Sequence, residues 1–271
     1  MAGIINGRVL IIAGSDSGGG AGIQADIKAV SALGAYAMTA ITALTAQNTL
    51  GVHGVFPIPT DFIKQQIGVV LDDIGADCIK TGMLHDVGVI ETVVAALEEH
   101  APGTPLVVDP VMVAKGGASL LLDEAVDTMR SKLVPLATVL TPNLPEAEAL
   151  SGRTIAGDGD MEPVGQALLE MGPKAVLLKG GHMDGDIIRD RLVMSTGTII
   201  FENPRVDTKH THGTGCTLAS SISTGLAQGM TLEVSVGRAE SYLHDAICSA
   251  PKFGNGHGPV NHLHTVADYP R

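Results

Sequence analysis

The sequence predicts an α/β protein in three layers, a central and mostly parallel sheet with helices on both faces. Three observations carry that prediction. Short apolar runs alternate with longer segments of helical periodicity over most of the 271 residues, with short connections between them. Chemically capable side chains recur at the ends of the strand-like runs, where the crevice of an open α/β sheet lies. A glycine-rich turn, His212-Gly213-Thr214-Gly215-Cys216, leads straight into a helix of small residues.

Taken in order, Arg8–Ala13 (RVLIIA) reads as a buried strand, 14–22 (GSDSGGGAG) as a loop, and Ile23–Leu33 as a helix stopped by Gly34. The loop satisfies neither common nucleotide motif: Ile23-Gln24 follows Gly22 where a P-loop needs Lys and Ser/Thr, and Ile23 stands where the dinucleotide fingerprint needs its last glycine. Asp16 and Asp26 remain as polar anchors for a small ligand, and Asp26 could equally complement a helix dipole. Met38–Asn48 is a strand with a polar tip at Gln47-Asn48, and a glutamine there offers a donor beside an acceptor, which suits a heterocyclic amide or aminopyrimidine edge; the alternative is a turn residue.

Asp61–Asp73 is a helix, Asp77–Lys80 a strand, Val87–His100 a helix, and Pro105–Asp109 a strand with a carboxylate at its tip. Asp123–Val134 is a helix and Ala137–Thr141 a strand; TPNLPEAEAL then turns into a helix with Asn143 and Glu146 three apart. Met161–Met171 is a helix, Ala175–Lys179 a strand ending in lysine, and Ile187–Ser195 with Thr198–Glu202 an antiparallel pair. The helix after the glycine turn and a last one over Thr231–Ser249 complete the ordered part, and GNGHGPVNHLH reads as a surface tail or subunit contact rather than a metal tract. With no linker, repeat or composition shift, residues 1–271 read as one domain.

Composition removes several function classes. A formal net charge of −12 opposes nucleic-acid binding. No apolar run is long enough to span a bilayer, and MAGIINGRVLIIAGSD lacks the layout of a signal peptide, so no membrane partner and a cytoplasmic location are expected. Cys78, Cys216 and Cys248 form neither a disulfide framework nor a CxxC metal site.

The remaining residues suit phosphoryl transfer. The first N–H groups of a helix are unpaired and lie at the positive end of its dipole, so Gly213–Cys216 can cradle an anion, and a thiol there should favour its thiolate; the alternative is an ordinary glycine-rich loop before a core helix, with Cys216 a small buried hydrophobe. Asp109, Asn143, Glu146 and Lys179 could hold Mg²⁺ and neutralise a polyphosphate. For Asn143 and Glu146 the alternative is a helix cap.

In these segments the sequence resembles the hydroxymethylpyrimidine/phosphomethylpyrimidine kinases of thiamine biosynthesis, in the ribokinase-like superfamily. The matching segments are AGSDSGGGAGIQADIK (13–28), ITALTAQNT (41–49), KTGML (80–84), VDPVM (108–112), TPNLPEAEAL (141–150), LKGGH (178–182) and THGTGCTLAS (211–220). The resemblance implies a three-layer ribokinase-like fold, a homodimer, and ATP- and Mg²⁺-dependent phosphorylation of the hydroxymethyl group and then of the monophosphate. It implies that Gln47 recognises the pyrimidine, with Gly14, Asp26 and Met83 lining its pocket. Gly213, Thr214, Gly215 and Cys216 match the anion hole, with Cys216 where related sugar kinases carry an aspartate base. Asn143, Lys179 and Thr211 fall on the ATP and phosphate side, and Glu146 with Asp109 on the metal side. Gly18 replaces a serine common in the family. Pyridoxal kinases of this branch carry a second cysteine where Val113 and Ala114 stand, which favours the pyrimidine substrate; pyridoxal or pyridoxine phosphorylation is the alternative activity.

Overall fold

The computed structural model describes residues 5–113, 117 and 120–266; Ala114 lies outside them. Nine strands form one sheet: β1 Arg8–Asp16, β2 Tyr36–Asn48, β3 Gly51–Pro57, β4 Cys78–Thr81, β5 Leu106–Val108, β6 Val139–Leu140, β7 Ala175–Leu178, β8 Ile187–Met194 and β9 Gly197–Pro204. Their order is β3-β2-β1-β4-β5-β6-β7-β8-β9, parallel from β2 to β7 and antiparallel at both margins. The helices are α1 Gly22–Ala32, α2 Thr60–Asp73, α3 Val87–His100, α5 Leu144–Ser151, α6 Asp158–Leu169, α7 Thr214–Ala227 and α8 Leu232–Cys248. Between α3 and α5, α4 begins at Ala125–Thr128 and continues through a π turn to Leu133 and a 3₁₀ turn to Leu136.

Side chains alternate across a strand, and here each alternate set meets its own helical layer. Leu10 and Ile12 of β1, Leu106 and Val108 of β5, and Val176 and Leu178 of β7 join α2 to α6 in one core. Val9 and Ile11 pack on α1, whereas Val107, Val139 and Leu177 pack on α7 and α8. Strands covered on both faces read as continuous apolar runs, which is why VLIIA, LVV and AVLL were recognisable in sequence.

The margins differ from the expectation. β3 (GVHGVFP) is an exposed edge strand pairing antiparallel with the outer half of β2, so Gln47 sits near a hairpin tip rather than a free strand end. Two glycines, a proline and no buried face leave such a strand without a period-2 signal. β1 also continues to Asp16, beyond the predicted end at Ala13.

The C-terminal segment is a larger correction. It is no surface tail: Val260 and His262 are buried, the His212 N–H donates to the Gly258 carbonyl at 3.1 Å, and Asn261 N–H donates to Ala246 at 2.9 Å. His257 N–H donates to the Thr49 carbonyl at 2.8 Å. The segment therefore straps the β2–β3 turn to the start of α7. Among the described residues, no helix is long and apolar enough to cross a membrane.

Candidate active site

The glycine turn does what its sequence requires. Gly213 is the N-cap of α7 at φ +83°, and a Cβ there would lie 1.8 Å from the Gly20 carbonyl oxygen, so neither backbone conformation nor space admits a side chain. Two residues on, a Cβ on Gly215 would stand 3.5 Å from Lys179 Nζ and 3.6 Å from Asp109 Oδ2. The N-terminus of α7, with Thr214 in its first turn, is thus laid over the Lys179–Asp109 pair. The Thr211 carbonyl accepts a long 3.4 Å bond from Thr214 N–H.

Lys179 follows β7 and Asp109 follows β5, and the Nζ–Oδ1 distance is 3.2 Å. Glu146 Oε2 lies 3.9 Å from the same ammonium. Burial alone would lower the lysine pKa, but Asp109 and Glu146 outweigh it and keep the group charged. Burial, reinforced by Asp109, pushes the Glu146 carboxyl up to about 7 against the opposing pull of Lys179. Asp109 Oδ2 is buried without a hydrogen-bond partner among the described residues.

Asn143 and Glu146 form a full capping box at α5. Asn143 Oδ1 accepts from Glu146 N–H at 2.9 Å, and Glu146 Oε2 accepts from Asn143 N–H at 2.8 Å. The helix-cap reading of this pair is therefore correct, and it fixes Glu146 where it also faces Lys179.

On the other side of the crevice Gly14 and Met83 meet as expected: a Cβ on Gly14 would press on Met83 Cε at 3.2 Å. Gln47 is held through its backbone, its N–H donating to Ser17 Oγ at 2.9 Å and its carbonyl accepting from the same hydroxyl at 3.0 Å. Gly18 packs here, with room for a Cβ only 3.1 Å from Asp16 Oδ1 and 3.2 Å from the Gln47 carbonyl.

Two expectations fail. Asp26 has no accessible surface, so it lines no pocket, and it lies beyond the first turn of α1, so it complements no dipole. Its carboxylate accepts from Lys80 Nζ at 3.0 and 3.1 Å and from Ser220 Oγ at 2.7 Å, tying α1, β4 and α7 together. Cys216 is no ready thiolate. Burial pushes its thiol up to about 12, aided by Asp26 and Asp109, and Lys80 and the Gly22 N–H offset only part of this.

Lys80 and His212 also organise the site, one through a buried ion pair and the other beside Gln47. A lysine inside the apolar run DCIK was the available sign of a buried ion pair. His212 Nε2 lies 2.9 Å from Asp16 Oδ2 and 3.3 Å from the Gln47 amide. Burial would raise the Asp16 carboxyl, but His212 and the N–H groups of Ala21 and Gly18 hold it below the usual range.

The profile of the family described as phosphomethylpyrimidine kinase matches residues 16–261. A thiamine biosynthesis bifunctional protein of Geobacter sulfurreducens is 48% identical over 263 residues, covering 97% of this chain and 53% of the relative, so the chain spans about half of that protein. A hydroxymethylpyrimidine/phosphomethylpyrimidine kinase of Bacillus subtilis is 46% identical over 257 residues, 94% of each chain. An ADP complex of Bacillus subtilis pyridoxal kinase superposes with a TM-score of 0.88 at 37% identity, covering 95% of this chain and 98% of that one, which bears out the ribokinase-like three-layer fold. By sequence over nearly its whole length, the chain belongs to the phosphomethylpyrimidine kinase family.

Proposed function

We propose that residues 1–271 form a single kinase domain that transfers the γ-phosphoryl group of ATP to the hydroxymethyl oxygen of 4-amino-5-hydroxymethyl-2-methylpyrimidine, and then phosphorylates the monophosphate. The observation that carries this reading is the α7 N-terminus resting on the Lys179–Asp109 pair, with the Gln47 hairpin on the other side of the crevice. In each round the acceptor oxygen attacks the γ-phosphorus and the bond to the ADP oxygen breaks, and in the first round the hydroxymethyl proton is released to solvent. The N–H groups of Gly213–Cys216 and the Lys179 ammonium stabilise the charge on the transferring group. Cys216, half-buried at the head of α7, is placed to orient the acceptor oxygen, and its raised thiol pKa opposes a resident thiolate.

The donor set suits Mg²⁺. Asp109 offers an unpartnered buried oxygen and Glu146 a second carboxylate, while the described residues hold no group of three or more His, Cys, Asp or Glu side chains that could hold a metal ion. One or two acids plus substrate phosphates are what Mg²⁺ requires, and bound there it would neutralise polyphosphate charge. A cavity of about 330 Å³ lined by Val206–His210, Ile247, Cys248, Ala250 and Lys252 adjoins Thr211 and supports a nucleoside site beside the cradle. Exposed Leu50, Val55 and Phe56 on the β2–β3 hairpin, beside an open strand edge, support a homodimer through that margin, to be read by analytical ultracentrifugation. A cytoplasmic location agrees with the use of ATP.

The test is the kinetics of Lys179→Ala and Cys216→Ala. Lys179→Ala should lower kcat by about 10²- to 10³-fold, as loss of one transition-state donor does, while the protein stays folded. Cys216→Ala should lower turnover by less. Full activity in both would reject these roles. The pyridoxal kinase neighbour keeps pyridoxal phosphorylation as the second reading.

A further inference from the structure

Two donor–acceptor mismatches meet at Gln47, and one rotation removes both. Asp16 accepts hydrogen bonds from the backbone N–H groups of Gly18, Gly20 and Ala21 at 2.8, 3.0 and 2.8 Å. It is an ionised acceptor with no hydrogen to give. His212 Nε2, 2.9 Å from Asp16 Oδ2, must therefore carry the hydrogen of that bond. The amide arm assigned as Nε2 of Gln47 lies 3.3 Å from this same imidazole nitrogen, so two donors face each other.

The other arm has the complementary fault. Thr45 Oγ1 lies 2.9 Å from the Ser15 carbonyl and 3.1 Å from the arm assigned as Gln47 Oε1. A hydroxyl has one hydrogen and a carbonyl only accepts, so Thr45 donates to Ser15 and is left to accept from Gln47. Turning the amide by 180° sets Oε1 toward the His212 Nε2–H, which Asp16 and Oε1 then share at 2.9 and 3.3 Å, and sets Nε2 toward Thr45, so that no donor faces a donor. The imidazole that dictates this choice is itself fixed: its backbone N–H donates to Gly258, and a Cβ on Gly20 would lie 2.5 Å from its Cδ2.

We propose that Asp16, His212 and Thr45 are positioning residues that lock the Gln47 amide with its oxygen on the His212 side, and that this lock sets the preference for a ring bearing an amino group beside a ring nitrogen. The inference rests on Gln47 reading the pyrimidine. The inventory of atoms leaves one lone pair on Oε1 and one hydrogen on Nε2 for a ligand. An amino N–H beside a ring nitrogen matches that pair in order. A pyridine whose neighbouring substituent is an ionised oxygen places an acceptor against Oε1, and a locked amide cannot turn to receive it.

The test begins with wild-type protein carrying ¹⁵N-labelled histidine. A one-bond ¹⁵N–¹H coupling at Nε2 of His212, assigned through His212→Asn, is expected between pH 6 and 8. A bare Nε2 would overturn the lock. In kinetics, His212→Asn and Thr45→Val should each cut the ratio of kcat/KM for the hydroxymethylpyrimidine over pyridoxal by about tenfold, the scale of one hydrogen bond. The loss should fall on the pyrimidine KM, with kcat changed by less. An unchanged ratio in both variants, alongside a weakened pyrimidine KM in Gln47→Leu, would overturn the lock while sparing the role of Gln47. An unchanged pyrimidine KM in Gln47→Leu would overturn that role and the specificity argument built on it.

Discussion

Replacing Gly215 by alanine separates stability from catalysis at this site. Gly215 lies in the first turn of α7 with ordinary helical backbone, and its Cβ would meet only ordinary van der Waals neighbours, none nearer than 3.5 Å. Alanine favours a helix over glycine by up to about 1 kcal/mol, so the variant should be as stable as the parent or slightly more so. The methyl group, however, would stand 3.5 Å from Lys179 Nζ and 3.6 Å from Asp109 Oδ2, in the space between the helix terminus and the lysine where a phosphoryl group is proposed to lie. A displacement of about 1 Å there costs on the order of 10²-fold in rate. Urea unfolding and steady-state kinetics with ATP on the same preparation read both quantities. A variant that keeps kcat/KM for ATP, or one that loses more than about 1 kcal/mol of stability, would refute the placement of the phosphoryl group over Gly215.

Two further outcomes follow from buried charge. Lys80→Met leaves Asp26 buried without its cation and should destabilise by about 3–5 kcal/mol, whereas Lys80→Met with Asp26→Asn should recover much of that loss; urea midpoints for the pair decide it. His262, buried against Thr217 Oγ1 at 3.0 Å, has its pKa pushed down to about 4 by burial, with Lys28 and His264 adding to the effect. Its folded value lies below its unfolded one, so its contribution is full above pH 6.5 and lost as pH falls toward 4. That amounts to about 2 kcal/mol by pH 5, which His262→Gln should remove from the pH dependence of the urea midpoint.

What could be read in the sequence was whatever local chemistry determines. The buried parallel strands announce themselves as apolar runs, and α3 spans Val87–His100 as its periodicity implied. The glycine turn into α7 was legible in THGTGC, and the strand-end positions of Asp109 and Lys179 follow from the alternation of elements. What escaped depends on partners distant in sequence. Asp26 read as a ligand anchor or a dipole complement, because Lys80, 54 residues away, and Ser220, 194 residues away, come to it only in the fold. His212 looked like a loop histidine until β1 and β2 placed Asp16 and Gln47 beside it. The helix terminus argued for a thiolate at Cys216, but the burial that reverses this is a property of the packed fold. β3 carried no buried face to betray it.

The most direct test of the central claim is ATP-dependent product formation with hydroxymethylpyrimidine, its monophosphate and pyridoxal supplied to one preparation. The account predicts that both pyrimidines turn over and that pyridoxal is slower. Pyridoxal turning over fastest, with the monophosphate inert, would contradict it: the phosphate side built on Lys179, Asp109 and Gly213–Cys216 would survive, and the reading of Gln47 would not.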